Sequence, residues 1–263
     1  MNNTIINYTF LSIAILTGVY LCILGGYGSD EDTLPMIGTF TNLLNGHFMT
    51  SRFTGYPVAE FIIGFFSYFF GSAVINLIIF SSFILGSIIF FITAEKNYKK
   101  KIILFLLLLI SSPILFFDNL EPVDYSLGFL FFSLGYYFLK KQRLELALIF
   151  FGVCIGTRIN FAPFVIIIIF FNSSNYQGES LRKYFIIISA LFIGSLFYLP
   201  VWIHSGLSFD WLRAGRPEGG VYEYGARFIY KSFITIGIPQ LLIILYLIIK
   251  NKISKNFSNN YKF

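Results

Sequence analysis

The sequence predicts an all-α fold: a polytopic transmembrane helix bundle of about eight spans, with a re-entrant or interfacial helix in the first outer loop. Three observations predict it. Hydrophobic residues make up 56% of the 263 and charged residues only 12%, with mean hydropathy +0.75, whereas a soluble domain carries about 25% charged residues. Apolar runs suited to crossing a bilayer recur along the chain. Lysines gather in alternate loops, as in chains oriented by positive charge on the cytoplasmic side. The 34 Phe and 17 Tyr add more apolar surface than a soluble core can hide, so lipid must cover the rest. Residues 1–263 therefore read as a single transmembrane domain.

Tyr8 to Gly25 is the first span. Gly-Gly-Tyr-Gly and acids follow it without a clear small-x-small cleavage site, so it reads as a retained helix, not a removed signal peptide. Pro57 to Phe70 is apolar but short, with Gly55 permitting a turn and Pro57 suiting the first helical position. Such a helix reads as re-entrant or interfacial. Ala73 to Thr93 is a full span. Ile102 to Phe117, Tyr125 to Leu139, Leu144 to Thr157, Phe161 to Phe171, Tyr184 to Trp202 and Phe233 to Ile249 follow. Periodicity does not set these boundaries, because a lipid-exposed helix is apolar all round; punctuation and charge do.

With the N-terminus inside, the cytoplasmic loops hold Lys96, Lys99, Lys100, Lys101, Lys140, Lys141, Arg143, Arg182, Lys183, Lys250, Lys252, Lys255 and Lys262. The outer face holds Arg52, Arg158, Arg213, Arg216, Arg227 and Lys231. Among the acids only Glu95, Glu145 and Glu179 lie inside. Acids contribute little to insertion, so their skew points to chemistry on the outer face. A nine-span alternative lets Pro57 to Phe70 cross and puts the N-terminus outside. It keeps every face after Ala73 and moves Asp30, Glu31, Asp32 and Arg52 inside.

Four places break the apolar pattern. Asp30, Glu31 and Asp32 follow the first span directly, either as a solvated helix stop or as mutually repelling acids of a functional site. Arg52 and Glu60 bracket Gly55-Tyr56-Pro57, either as interfacial charges at a helix start or as site residues. Asp118, Glu121 and Asp124 sit in a link so short that it pins them at the mouth of the bundle; Asp124 reads as a helix N-cap or as part of a site shared with Asp30 and Asp32. Arg158 and Asn160 stand between two apolar runs with almost no loop, so Arg158 must find water, an anion or a carboxylate. His204, Arg213, Arg216, Arg227 and Lys231 add positive charge to the same face, for an anionic substrate or for salt bridging across the surface.

Other chemistries find no support. Cys22 and Cys154 lie inside apolar runs and read as small buried hydrophobes. With His47 and His204 alone, no zinc pattern of His and Cys exists. The chain has no P-loop and no dinucleotide fingerprint.

These residues, in this order, resemble the GT-C superfamily of membrane glycosyltransferases, most closely protein mannosyltransferases and bacterial aminoarabinose transferases. The matching pieces are Ser29-Asp30-Glu31-Asp32 after the first span, then Arg52-Phe53-Thr54-Gly55-Tyr56-Pro57 with Glu60. Asp124 opens the next matching span, which ends on Lys140-Lys141-Gln142-Arg143. Gly156-Thr157-Arg158-Ile159-Asn160 resembles the family's Gly-x-x-x-Thr-Arg pattern, one residue longer when counted from Gly152. The likeness covers about Tyr8 to Phe171, weakening toward Lys231. Typical members are longer, which implies a truncated chain, a minimal member or one half of a partnership.

The resemblance implies transfer of a sugar from a polyprenyl-phosphate donor to a glycan, lipid or protein acceptor, at the outer face of a prokaryotic plasma membrane. It makes Asp30 or Asp32 the general base and groups Asp124 with them as catalytic. Arg158, Arg227 and Lys231 would meet the phosphate, with Glu31, Arg52, Tyr56, Glu60 and Glu121 lining the substrate site. Asp124 would orient the acceptor or join the first acids around a divalent cation; metal use varies within the superfamily. A lipid or sugar transporter and a non-catalytic subunit of a glycan assembly complex are the competing readings. No nucleic acid is expected as a partner.

Overall fold

The computed structural model describes residues 3–28, 33–51, 55–95, 97–172 and 180–208, together with Ala226. Every regular element among them is helical: α1 (Asn3–Leu24), α2 (Thr33–Leu44), α3 (Pro57–Ala94), α4 (Tyr98–Ile110), α5 (Pro113–Asp118), α6 (Asp124–Lys140), α7 (Leu144–Thr157), a 3-10 turn (Ile159–Phe161), α8 (Ala162–Asn172), α9 (Ser180–Leu196) and α10 (Leu199–His204). Among the described residues two helices are long and apolar enough to cross a membrane, Ile5–Leu24 and Pro57–Ala94. The expected span at Phe233 to Ile249 lies outside the described residues.

The sequence punctuation sets most helix ends, and it also cuts two expected spans. Ser111-Ser112-Pro113 separates α4 from α5, with Pro113 at the start of the new helix. Proline lacks the N–H that would continue the helical ladder and disfavours helical backbone just before it. Phe197 and Tyr198 divide α9 from α10, again with a proline, Pro200, in the first turn of the second piece. The first loop contains a helix, α2, that the apolar runs do not announce. It packs on α3, with the Phe40 ring against Phe61, Phe65 and Phe69.

α3 is two rods. Gly71 takes φ 78° and ψ −176°, a conformation no helix interior holds and one open to glycine. Consecutive residues at the end of α1 grip both rods. Tyr27 donates its hydroxyl to the Ser67 carbonyl at 3.4 Å, and Asn76 Nδ2 donates to the Gly26 carbonyl at 2.6 Å and to Cys22 at 3.1 Å. The first rod begins at Tyr56, whose ring lies beside Arg158 at the far end of α7. It thus runs from Arg158 to the C-terminal end of α1, along one end of the bundle. The second rod runs down the bundle beside α6, from Gly86 against Leu130 to Phe90 against Phe132 and Tyr136.

The helices approach closely where side chains are absent. A Cβ on Gly86 would meet the Leu130 backbone 3.1 Å away. Gly152 and Gly194 let α7 and α9 touch, with Ile193 filling the space over Gly152 and Ile155 the space over Gly194. Small residues at such crossings are the usual means of helix association in lipid, where apolar surface alone gives little drive. The principal core joins α6 to α9 through Phe132, Phe151, Ile155, Val165 and Ile186.

The α3–α6 contact generates a stability prediction. Gly86→Leu must push against the α6 backbone, which cannot swing aside as a side chain would, and should cost about 1–3 kcal/mol. Thermal unfolding of purified protein in detergent should show a clearly lower Tm than Gly38→Ala, a change at an α2 position with no neighbour within 4 Å.

Candidate functional site

The site begins with Arg158, which breaks the chain between α7 and the 3-10 turn in extended backbone, φ −159° and ψ 119°. Its Nη1 donates to both oxygens of Asp124, at 3.0 and 2.9 Å. The Asp124 side chain is 2% exposed and that of Arg158 14%. The guanidinium lies over the Tyr125 ring, 4.1 Å from its centroid, and 5.2 Å from that of Tyr56. Burial works against the Arg158 charge. The Asp124 carboxylate and the two phenols more than offset this and raise its pKa above the usual arginine value. The ion is thus held between a carboxylate and two aromatic rings, a setting suited to arginine.

Asp124 is the first residue of α6, and the N-cap is Val123. The capping reading of Asp124 is therefore replaced by ion pairing with Arg158. The preceding link is tied down by its own side chains: Ser126 donates its hydroxyl to Asn119, and Asn119 donates its amide to the Leu115 carbonyl. Glu121 packs over Gly28, where any Cβ would overlap its carboxyl group. The residue that leads into the first acidic loop thus touches the second.

Glu60 lies one turn into α3 and is 6% exposed. Its Oε1 accepts the Ser51 N–H at 2.8 Å and also the Ser51 hydroxyl. Asp124 is close enough to act on it electrostatically. Tyr198 closes the floor, donating its hydroxyl to the Ile155 carbonyl at 3.1 Å.

Of the residues expected at the site, the structure brings Tyr56, Glu60, Asp124 and Arg158 into one neighbourhood and sets Glu121 at its margin, against the end of α1. Asp30, Glu31, Asp32, Arg52, Arg227 and Lys231 lie outside the described residues. Among the described residues no three His, Cys, Asp or Glu side chains gather as a metal site would require, and the cation set expected from the sequence depends on Asp30 and Asp32. Tyr125, Tyr198 and Ser51 were not anticipated. Tyr125 had one available signal, its place next to Asp124 at the start of a helix. Tyr198 and Ser51 had none, because their partners are remote in sequence or reached only by the backbone turn.

Breaking a buried ion pair from one side costs more than removing both ions. Arg158→Met should therefore destabilise the protein by about 3–5 kcal/mol. Asp124→Leu added to Arg158→Met should recover much of the loss in a detergent unfolding assay. A loss in the double variant equal to the sum of the Arg158→Met and Asp124→Leu losses would mean that the charges do not depend on each other.

No family model matches this chain, and neither the characterised proteins nor the solved structures compared with it give a match.

Proposed function

We propose that this chain is a multi-pass membrane glycosyltransferase of the GT-C type, which moves a sugar from a polyprenyl-phosphate donor to an acceptor at the outer face. One observation carries the reading: Arg158 is immobilised by Asp124, Tyr56 and Tyr125, yet its Nε and Nη2 make no hydrogen bond among the described residues. A guanidinium with donors held in reserve suits a phosphate, which it meets through parallel N–H bonds. A lipid-borne phosphate also explains why such a cation stands in an otherwise apolar protein.

The reaction needs few parts. The acceptor oxygen attacks the anomeric carbon and gives its proton to a carboxylate, Asp30 or Asp32. The bond from that carbon to the phosphate oxygen breaks, and its electron pair leaves with the phosphate. Arg158 stabilises the charge that develops there, and the anomeric configuration inverts. Asp124 positions Arg158. The contact of Gly28 with Glu121 supports a short path from the first acidic loop to this cation.

The membrane arrangement belongs to the same proposal. The spans are α1, the second rod of α3, α4 with α5, α6, α7, α8, α9 with α10, and 233–249; the first rod of α3 lies in the outer interface. α7, at 14 residues, extends about 21 Å at 1.5 Å per residue. It is shorter than a ~30 Å hydrocarbon core, and local bilayer thinning accommodates such a span.

Two measurements test this. Single cysteines at positions 99 and 141 should label only from the cytoplasm, and those at 29 and 205 only from outside; cytoplasmic labelling of position 29 would refute the arrangement. In membranes supplied with polyprenyl-phosphate sugar, Asp30→Asn or Asp32→Asn should lower transfer about 10²–10⁴-fold, as expected for loss of a general base. Arg158→Lys should lower it as well, since an ammonium cannot make the planar contact. Undiminished transfer by the double Asp30→Asn, Asp32→Asn variant would remove these acids from the mechanism.

A further inference from the structure

Beside the ion pair, a cavity of about 230 Å³ opens between α2, the loop after it, the start of α3 and α10. Phe40, Phe48 and Phe61 line it with Leu43 and Met49, and among the described residues the one charged side chain in its wall is Glu60. Glu60 is buried, and Ser51 fixes its Oε1 from two donors. The Tyr56 backbone N–H also acts on the carboxylate as a donor, and no ion pair forms at Glu60 among the described residues. The nearest charged neighbour acting on it is another acid, Asp124, whose carboxylate is committed to Arg158.

A buried carboxylate with no ion-pair partner among the described residues and an aromatic surround is an incomplete set. The missing part is a positively charged N–H donor. An ammonium would give Oε2 a charge-assisted bond and lie against ring faces that attract cations. An anion would meet only the negative end of the cavity and desolvated carbon. A neutral apolar molecule would fill the space but leave the carboxylate uncompensated, which is costly in a buried setting.

We propose that this cavity is a binding site for a primary ammonium group carried on a small apolar or amphiphilic body, with Glu60 as its counter-ion and Phe40, Phe48 and Phe61 as its walls. The ammonium donates to Oε2 while Ser51 holds Oε1, so the serine sets the direction in which the carboxylate faces. The free amine and the headgroup of an aminolipid present the same chemistry here. The inference concerns binding and does not depend on sugar transfer.

The probe is benzylammonium, with benzyl alcohol as its uncharged analogue, titrated calorimetrically into the full chain in phosphatidylcholine nanodiscs. Benzylammonium should bind at least about tenfold more tightly than benzyl alcohol, the margin expected of a charge-assisted bond with cation–π contact. Glu60→Gln keeps an oxygen for the Ser51 donors and removes the charge. It should abolish the tenfold preference while leaving benzyl alcohol binding unchanged, which also reports that the cavity is still folded. Phe48→Ala should weaken both ligands. Phosphatidylethanolamine nanodiscs should suppress benzylammonium binding if the natural ligand is a lipid headgroup, and leave it intact if it is a soluble amine; either result upholds the site. Equal affinity for the two probes, or an ammonium preference that survives Glu60→Gln, would overturn the proposal.

Discussion

The ion pair of Arg158 and Asp124 fixes how one end of this bundle is put together. Charges removed from water cost several kcal/mol each unless they meet in good geometry. The pair can exist only where the end of α7 and the start of α6 are brought together, and it determines how those two ends meet. The rings beside the guanidinium extend that demand. Tyr125 ties in the first turn of α6, and Tyr56 ties in the start of α3. Three segments remote in sequence thus converge on one charge, and the cavity beside Glu60 exists because α3 begins there.

The body of the bundle serves this end by a different device. α6, α7 and α9 carry glycines where their neighbours press closest, as at Gly135 under the Phe151 ring and Gly156 under Phe197. Close backbone approach lets stiff aromatic side chains interlock without polar groups, and such packing resists sliding of one helix along another. A slide of one residue along α7 would move Arg158 by about 1.5 Å, half the length of its bond to Asp124. The contacts of Gly152 with α9 and of Gly156 with Phe197 just after it therefore bear on the site although neither glycine lies in it. The segment from Gly152 to Arg158 thus combines a packing face with the cation of the buried ion pair.

Gly71 supplies the other constraint. Its left-handed backbone divides the 38 residues of α3 into two rods with different surroundings. The first rod keeps Glu60 beside Asp124 and in the cavity wall, whereas the second buries Asn76 where its amide satisfies two carbonyls at the end of α1. Those carbonyls are orphans of helix termination and need a donor when water is excluded. A single residue type thus separates a site-forming segment from a core-forming one.

The sequence by itself determined the helical class, the positions of most helix ends and the four polar interruptions. Each of these is a local property: apolar length, proline and glycine punctuation, and charge next to an apolar run. It also identified Arg158 as a cation in need of a partner and Asp124 as an acid held at the mouth of the bundle. Only the tertiary structure decided that each is the other's partner, that Tyr125 and Tyr56 flank the guanidinium, that α2 exists as a packed helix, and that Glu60 faces a cavity. The reason is physical. Helices apolar on every side have no periodic stripe to reveal their rotation, so the sequence does not say which polar residues at the helix ends turn toward one another. That rotation is set by steric fit between glycines and rings on neighbouring helices, and by the cost of leaving a charge alone away from water.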